Sequence, residues 1–301
     1  MDLPALAVAA GLAGWTPSPV PAPPVVRALG APAAEPIVVA SPSGKIAGWD
    51  ALTGSLLAAR VIAVGEKHDE ASHHRVQAAV LGALADRDPG LVVGFEMVSQ
   101  DQQAALDDFS SGKTTEADFS AWWKKSWGFD YTLYKPIFDA ARSRRLRLVG
   151  LNAPISLVKA VAKKGLSGLT PAERAQLPSS VQESGDARYR AFVKDSLSGH
   201  GLPPEAMARM MEAQAVWNET MGAKAAELAE KSRVVVIAGQ GHMLWRAGIP
   251  ESALRRGAGS VAVVLPYPQD GEALSIPDQL KRLRDPANDE LSQADDFVLI
   301  P

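Results

Sequence analysis

Four residues of two chemical types stand at the exits of short apolar runs. Glu66 and His68 lie in Val-Gly-Glu-Lys-His, Glu96 in Gly-Phe-Glu-Met, and His242 in Gly-Gln-Gly-His. Carboxylate with imidazole suits Zn, Mn, Fe or Co better than Mg or Ca. The same groups could serve as general bases toward a water. The plain alternative is that Glu66 and Glu96 accept hydrogen bonds from loop N–H groups and tie strand ends together, since a buried carboxylate needs such partners. The residues alone leave these readings open.

Three of the five histidines, His68, His73 and His74, fall within seven residues of one another. Neighbours on a helix point about 100° apart, so His73 and His74 do not both ligate one ion. His73 shares a side with Gln77 and is the candidate. His74 is expected at the surface or in support. Tyrosine is an axial haem ligand type, which brings in Tyr131, Tyr134 and Tyr189. Tyr267 follows a strand in Leu-Pro-Tyr-Pro and is the weakest of the four. The Trp-rich stretch from 122 to 134 could stack a flat aromatic ligand, but a core patch is the expectation. Gly239-Gln-Gly lacks the full dinucleotide fingerprint. Without a Gly-x-Ser-x-Gly elbow or any cysteine, a covalent serine or cysteine hydrolase is not indicated.

These residues must be positioned by buried strands. Apolar, β-branched runs predict strands at about 37–40, 60–64, 91–97, 147–152, 233–238 and 261–265, with an edge strand at 297–300. Helices are expected from near Asp69, at about 100–109 and at about 133–144. Residues 155–231 carry helix caps but no strand, which predicts three or four helices. Strands alternating with helices give an α/β fold: a mostly parallel sheet flanked by helices, with a small all-helical subdomain inserted. The expected organisation is a Pro- and Ala-rich tail or linker over 1–36, an α/β core over 37–154 and 232–301, and the helical subdomain over 155–231. Ligands of such sheets bind beyond the carboxyl ends of the strands, so the four motifs should converge on one crevice.

Composition bounds the function. The 301 residues are 47% hydrophobic and 22% charged, with a net charge of -3. That balance offers no general attraction to nucleic acid or to anionic membranes. No internal apolar run is long enough to span a bilayer. Residues 5–14 resemble the apolar core of a signal peptide, with Asp2 where a positive charge belongs, and read either as an export remnant or as a plain tail. The lack of cysteine removes disulfides, thiolate metal sites and a lipobox anchor.

Taken together, Val-Gly-Glu-Lys-His-Asp…His-His-Arg-Val-Gln, Gly-Phe-Glu-Met, Tyr134-Lys-Pro-Ile, Gly-Leu-Asn-Ala-Pro and Ala-Gly-Gln-Gly-His242…Gly-Ile-Pro resemble the ChaN-like haem-binding uptake family. That family belongs to the Tiki superfamily, with the erythromycin esterases and the Tiki metalloproteases. The stretch Tyr189-Arg…His200…Gln214-Ala-Val-Trp-Asn218-Glu-Thr-Met221 is also similar, although the family more often has Asp where this chain has Asn218. The resemblance implies a homodimer that holds haem through tyrosine and histidine: Tyr134, Tyr189, His200 and His73. It implies iron or haem acquisition at the cell envelope or periplasm, with an outer-membrane haem or iron receptor as partner. In the related hydrolases the Glu-x-His and Gly-x-Gly-His positions, here Glu66, His68 and His242, take metal or base roles. A metal-dependent hydrolase using a transition metal ion at Glu66, His68, Glu96 and His242 is therefore the alternative.

Overall fold

The apolar runs become the strands of one eight-stranded sheet. The computed structural model describes residues 36–41, 43–198, 201–267, 274–285 and 288–300. The strands are β1 (Ile37–Ala40), β2 (Lys45–Ala47), β3 (Val61–Glu66), β4 (Val92–Ser99), β5 (Arg147–Asn152), β6 (Val234–Gly239), β7 (Val261–Tyr267) and β8 (Asp296–Leu299). Their order across the sheet is β2-β1-β8-β7-β3-β6-β4-β5. From β8 to β5 every pairing is parallel, and the β1/β2 hairpin adds antiparallel to β8. Strands β3, β4 and β6 are buried on both faces almost throughout, which is why they read as continuous apolar runs rather than alternating ones.

Helices cover both faces. On one lie α1 (Trp49–Leu56), α2 (Ala71–Ala85), α3 (Gln103–Ser110), α4 (Glu116–Ser126) and α5 (Tyr131–Ser143), packed on Ile62, Val64, Phe95, Val235 and Ile237. On the other, α6 (Ile155–Lys164) opens the strand-free stretch, followed by the short α7 (Pro171–Arg174), α8 (Ala187–Ser198) and α9 (Pro204–Ala229). After β6 come α10 (Ile249–Arg255) and, after β7, α11 (Ile276–Leu283). Helices α6, α8, α9, α10 and α11 bury their apolar sides against Val61, Ala63, Val234, Val236 and Val263. The split follows from topology. From β3 the chain moves toward β5, and from β5 it returns past β4 to β6 and then β7. Crossovers of one hand that run in opposite directions put their helices on opposite faces.

The segment expected as an edge strand lies inside the sheet. Strand β8 sits between β7 and β1 with all four residues buried, and the edges are β2 and β5. The hairpin covers it, a pairing across more than 200 residues (Val38 with Val298) that leaves no local trace. No helix among the described residues is long and apolar enough to cross a membrane. The expected tail, but for Pro36, lies outside the described residues.

Candidate functional site

The crevice forms where β3, β6 and β4, neighbours in the sheet, end together. Glu66 is the last residue of β3 and falls in register with Gly239, the last of β6. Glu96 lies in β4 where the pairing with β5 shifts register. Its Oε2 accepts the Gly239 N–H at 2.6 Å, and Asn152 at the end of β5 donates to its backbone carbonyl at 2.9 Å. A Cβ on Gly239 would stand 2.9 Å from Cε1 of His68, so a side chain there would push the imidazole aside. A short helical turn after β6 then delivers His242.

Glu66 Oε1 is hydrogen-bonded to Nδ1 of His68. Ligand atoms from Glu66, His68 and Glu96 lie within 4.8 Å of one another. Nε2 of His242 lies 3.2 Å from Oε1 of Glu96. On its far side, Nδ1 of His242 meets Oδ1 of Asn218 at 2.7 Å and Nε2 of Gln214 at 3.2 Å, both from α9. Asn218 Nδ2 donates to the Tyr189 hydroxyl at 2.9 Å, and that hydroxyl donates to the Gly241 carbonyl at 2.8 Å. The loop after His242 is held in a strained form. Trp245 and Arg246 both have left-handed φ, at 56° and 59°. Arg246 is tied down by Asp295 and by the Val261 carbonyl. Such strain persists only where surrounding contacts enforce it.

The charges are set by burial and by one another. Burial alone would lower the affinity of His68 for a proton, but the charge and hydrogen bond of Glu66, with Glu96 behind, raise its pKa to about 9. Burial would likewise raise Glu96. The charge and hydrogen bond of His242, the charge of His68 and the Gly239 N–H outweigh it and hold Glu96 at about 2. Burial, aided by the charge of Glu66, keeps the Tyr134 phenol well above its ordinary range. Burial pushes Tyr189 up to about 12, against the hydrogen bonds of Gln214 and Asn218.

The structure thus brings Glu66, His68, Glu96 and His242 together. The other candidates are not among these four, although Tyr189 reaches His242 through Asn218. His73 is fully buried, and its Nδ1 accepts the Lys67 N–H at 3.1 Å. His74, expected at the surface or in support, is fully buried too: Nδ1 meets Gln77 Oε1 at 3.0 Å, and Nε2 lies 3.9 Å from Glu66 Oε2. Helix α2 meets β3 through Gln77, which donates to the Val64 carbonyl at 2.8 Å, and α5 through His74 against Tyr134. Tyr134 lies in the core over the His74 ring, centroids 4.1 Å apart, and its hydroxyl accepts from Trp127 Nε1 at 3.2 Å. Tyr131 is buried in the same aromatic cluster. Tyr189 packs on the opposite face of the sheet and lines a groove with Arg190, Val193, Met211, Gln214 and Asn218. Tyr134 and Tyr189 therefore lie on opposite faces of the sheet. Tyr267 is the last residue of β7, which runs parallel beside β3, and His200 lies outside the described residues.

The sequence reading named two further groups without placing them at the crevice. Trp127 and Phe129 wall the exposed side of His68, with ring centroids at 4.9 and 5.3 Å. Gln214 and Asn218 face His242, and a signal existed: two amides four residues apart on the buried stretch of a long helix.

The donor set fits a cation. Glu66 Oε2 is buried and has no hydrogen-bond partner among the described residues. A buried carboxylate oxygen left so is costly, and an ion in the crevice would satisfy it.

Fold and crevice define a class, and the sequence matches it. The chain belongs to the haem-binding uptake, Tiki superfamily, ChaN family, whose model matches residues 52–252. That span contains Glu66, His68, Glu96, Tyr189, Asn218 and His242. Among solved structures it is similar to ChaN of Campylobacter jejuni, described with cofacial haem binding. The identity is 19%, over 89% of this chain and 98% of that one, with a TM-score of 0.63. It is also similar to a mutant of the erythromycin esterase EreC in its open conformation, at 12% identity over 88% and 97% of the two chains, with a TM-score of 0.48. No curated protein matches the sequence.

Proposed function

We propose that this protein binds haem and serves haem or iron uptake at the bacterial cell envelope or periplasm, as a homodimer that passes haem to or from an outer-membrane receptor. Family membership over residues 52–252 carries the reading. The C. jejuni relative, described with cofacial haem, supports it. Tyr189 is the iron ligand we favour, because it borders the groove beside α9. His200, just beyond α8 in sequence, is the second. Tyr134 and His73 are held in the core and act through packing. To ligate iron, the Tyr189 hydroxyl must leave the Gly241 carbonyl and give up its proton. The test is an absorption titration with hemin. A saturable Soret shift is expected, weakened in Tyr189→Phe and retained in Tyr134→Phe. A shift that never saturates refutes haem binding.

A second reading is favoured by one observation: three ligand atoms gathered at Glu66, His68 and Glu96, with Glu66 Oε2 lacking a hydrogen-bond partner among the described residues. In that reading Glu66, His68, Glu96 and His242 hold a transition metal ion, which would supply Lewis acidity to a hydrolytic reaction. Glu66 would orient His68 through Nδ1, leaving its Nε2 for the ion, and Glu96 would stand beside Nε2 of His242. Trp127 and Phe129 would shield the crevice from bulk water. Elemental analysis finding about one zinc, manganese, iron or cobalt per chain, lost in His242→Ala, supports it. A folded, metal-free protein that takes up none of these ions refutes it.

A further inference from the structure

We infer that Asn218 is a positioning residue: pinned by Tyr189, it fixes His242 as the tautomer protonated on Nδ1 and so presents Nε2 to Glu96 as the atom that meets a cation or a proton. The inference deepens the second reading of the crevice and rests on it for the role of Nε2. It follows from counting hydrogens. The Tyr189 hydroxyl has one hydrogen, and it goes to the Gly241 carbonyl at 2.8 Å. Toward Asn218 the same oxygen can then only accept, so the amide nitrogen of Asn218 faces it, at 2.9 Å. That orients the amide oxygen toward His242 Nδ1 at 2.7 Å. An amide oxygen only accepts, so the proton sits on Nδ1. Gln214 Nε2 is a donor 3.2 Å from the same ring nitrogen. It also lies 3.5 Å from the tyrosine oxygen, whose second lone pair is available to it, so it does not require a lone pair on Nδ1.

The consequence lies on the other side of the ring. With the proton on Nδ1, a neutral His242 turns the lone pair of Nε2 toward Glu96 Oε1, 3.2 Å away. Two lone pairs that close repel unless a positive charge is shared between them. The device is a second partner orienting a ligand histidine, which fixes both the tautomer and the ring angle. All the side chains involved are buried: Asn218 is 5% exposed, Tyr189 2% and His242 3%. Gly248 completes the packing. Its φ is +62°, and a Cβ there would stand 2.5 Å from the His242 carbonyl oxygen and 3.1 Å from the Tyr189 hydroxyl.

The test is long-range nitrogen–proton NMR on the imidazole of His242 in metal-free full-length protein, with zinc ion titrated separately. Wild type should show a proton on Nδ1. Asn218→Ala should lose that preference and weaken zinc binding by roughly 10- to 100-fold. Asn218→Asp keeps an acceptor at the same point and should restore the Nδ1–H signature. Tyr189→Phe frees the amide to turn and should shift the ring toward a mixture of tautomers, which provides the reading if Asn218→Ala does not fold. A wild-type ring without a proton on Nδ1 overturns the inference, as does a folded Asn218→Ala with an unchanged ring signature. If zinc binds nowhere in the crevice while the tautomer responds as described, the positioning role stands and the metal reading falls.

Discussion

Nε2 of His242 lies 3.2 Å from Oε1 of Glu96, with both side chains almost fully buried. That spacing is close to the ligand-to-ligand edge of a tetrahedral site with bonds of ~2.0–2.2 Å, which is roughly 3.3–3.5 Å. Glu96→Gln keeps an acceptor for the Gly239 N–H but removes the charge. Zinc affinity, measured by calorimetric titration, is expected to fall by about tenfold or more. Unchanged affinity would remove Glu96 from the site.

The same charges make stability depend on pH. His68 moves from 6.5 to about 9. Its contribution is therefore complete below about 6.5 and lost as pH rises through about 9. Glu96 moves from 4.5 to about 2. Its contribution is present above about 4.5 and lost as pH falls through about 2. The difference in melting temperature between wild type and His68→Asn should be largest near pH 4.5–6.5 and shrink on both sides. A difference that grows toward pH 9 would show that the ion pair with Glu66 is not what raises His68.

Asp296 in β8 has the opposite sign from an ordinary stabilising carboxylate. Burial, with the charge of Asp295 beside it, raises it from 3.8 to about 6. Stability from this group is present below about 3.8 and lost as pH rises through about 6. Asp296→Asn should therefore stabilise the protein at pH 8, by about 1 kcal/mol or roughly 2 °C in melting temperature, and do little at pH 4. Thermal unfolding at the two pH values decides it.

Trp123 is fully buried among Phe119, Tyr131, Tyr134 and Phe138. Its indole N–H has no hydrogen-bond partner among the described residues, so its contribution is packing. Trp123→Ala should cost about 3–5 kcal/mol in chemical denaturation, while Trp123→Phe should cost much less. Equal costs would mean that the indole nitrogen has a bound partner.

The parallel strands were legible because each is buried on both faces and reads as an unbroken apolar run. The crevice residues were legible because topology alone carries strand exits to one end of a parallel sheet. What the sequence hid is non-local. The place of β8 depends on pairing with β1 across the whole chain. Helices α1, α10 and α11 are seven or eight residues long, too short for helical periodicity to stand out. His73 and His74 could be ordered only by knowing that α5 covers the outer side of α2. The Asn218 position invited doubt because an acid is more usual there. In the structure its amide oxygen lies 2.7 Å from Nδ1 of His242, so an oxygen still faces that nitrogen, without the charge of an acid.

The central claim is that this chain carries haem on its folded scaffold. Sedimentation velocity of the full chain mixed with hemin, followed at the Soret wavelength, tests it most directly. Haem absorbance should travel with the protein at the rate of a two-subunit species, and less of it should do so in Tyr189→Phe. Haem that stays behind as free or self-associated hemin, while the protein sediments alone, would contradict the account.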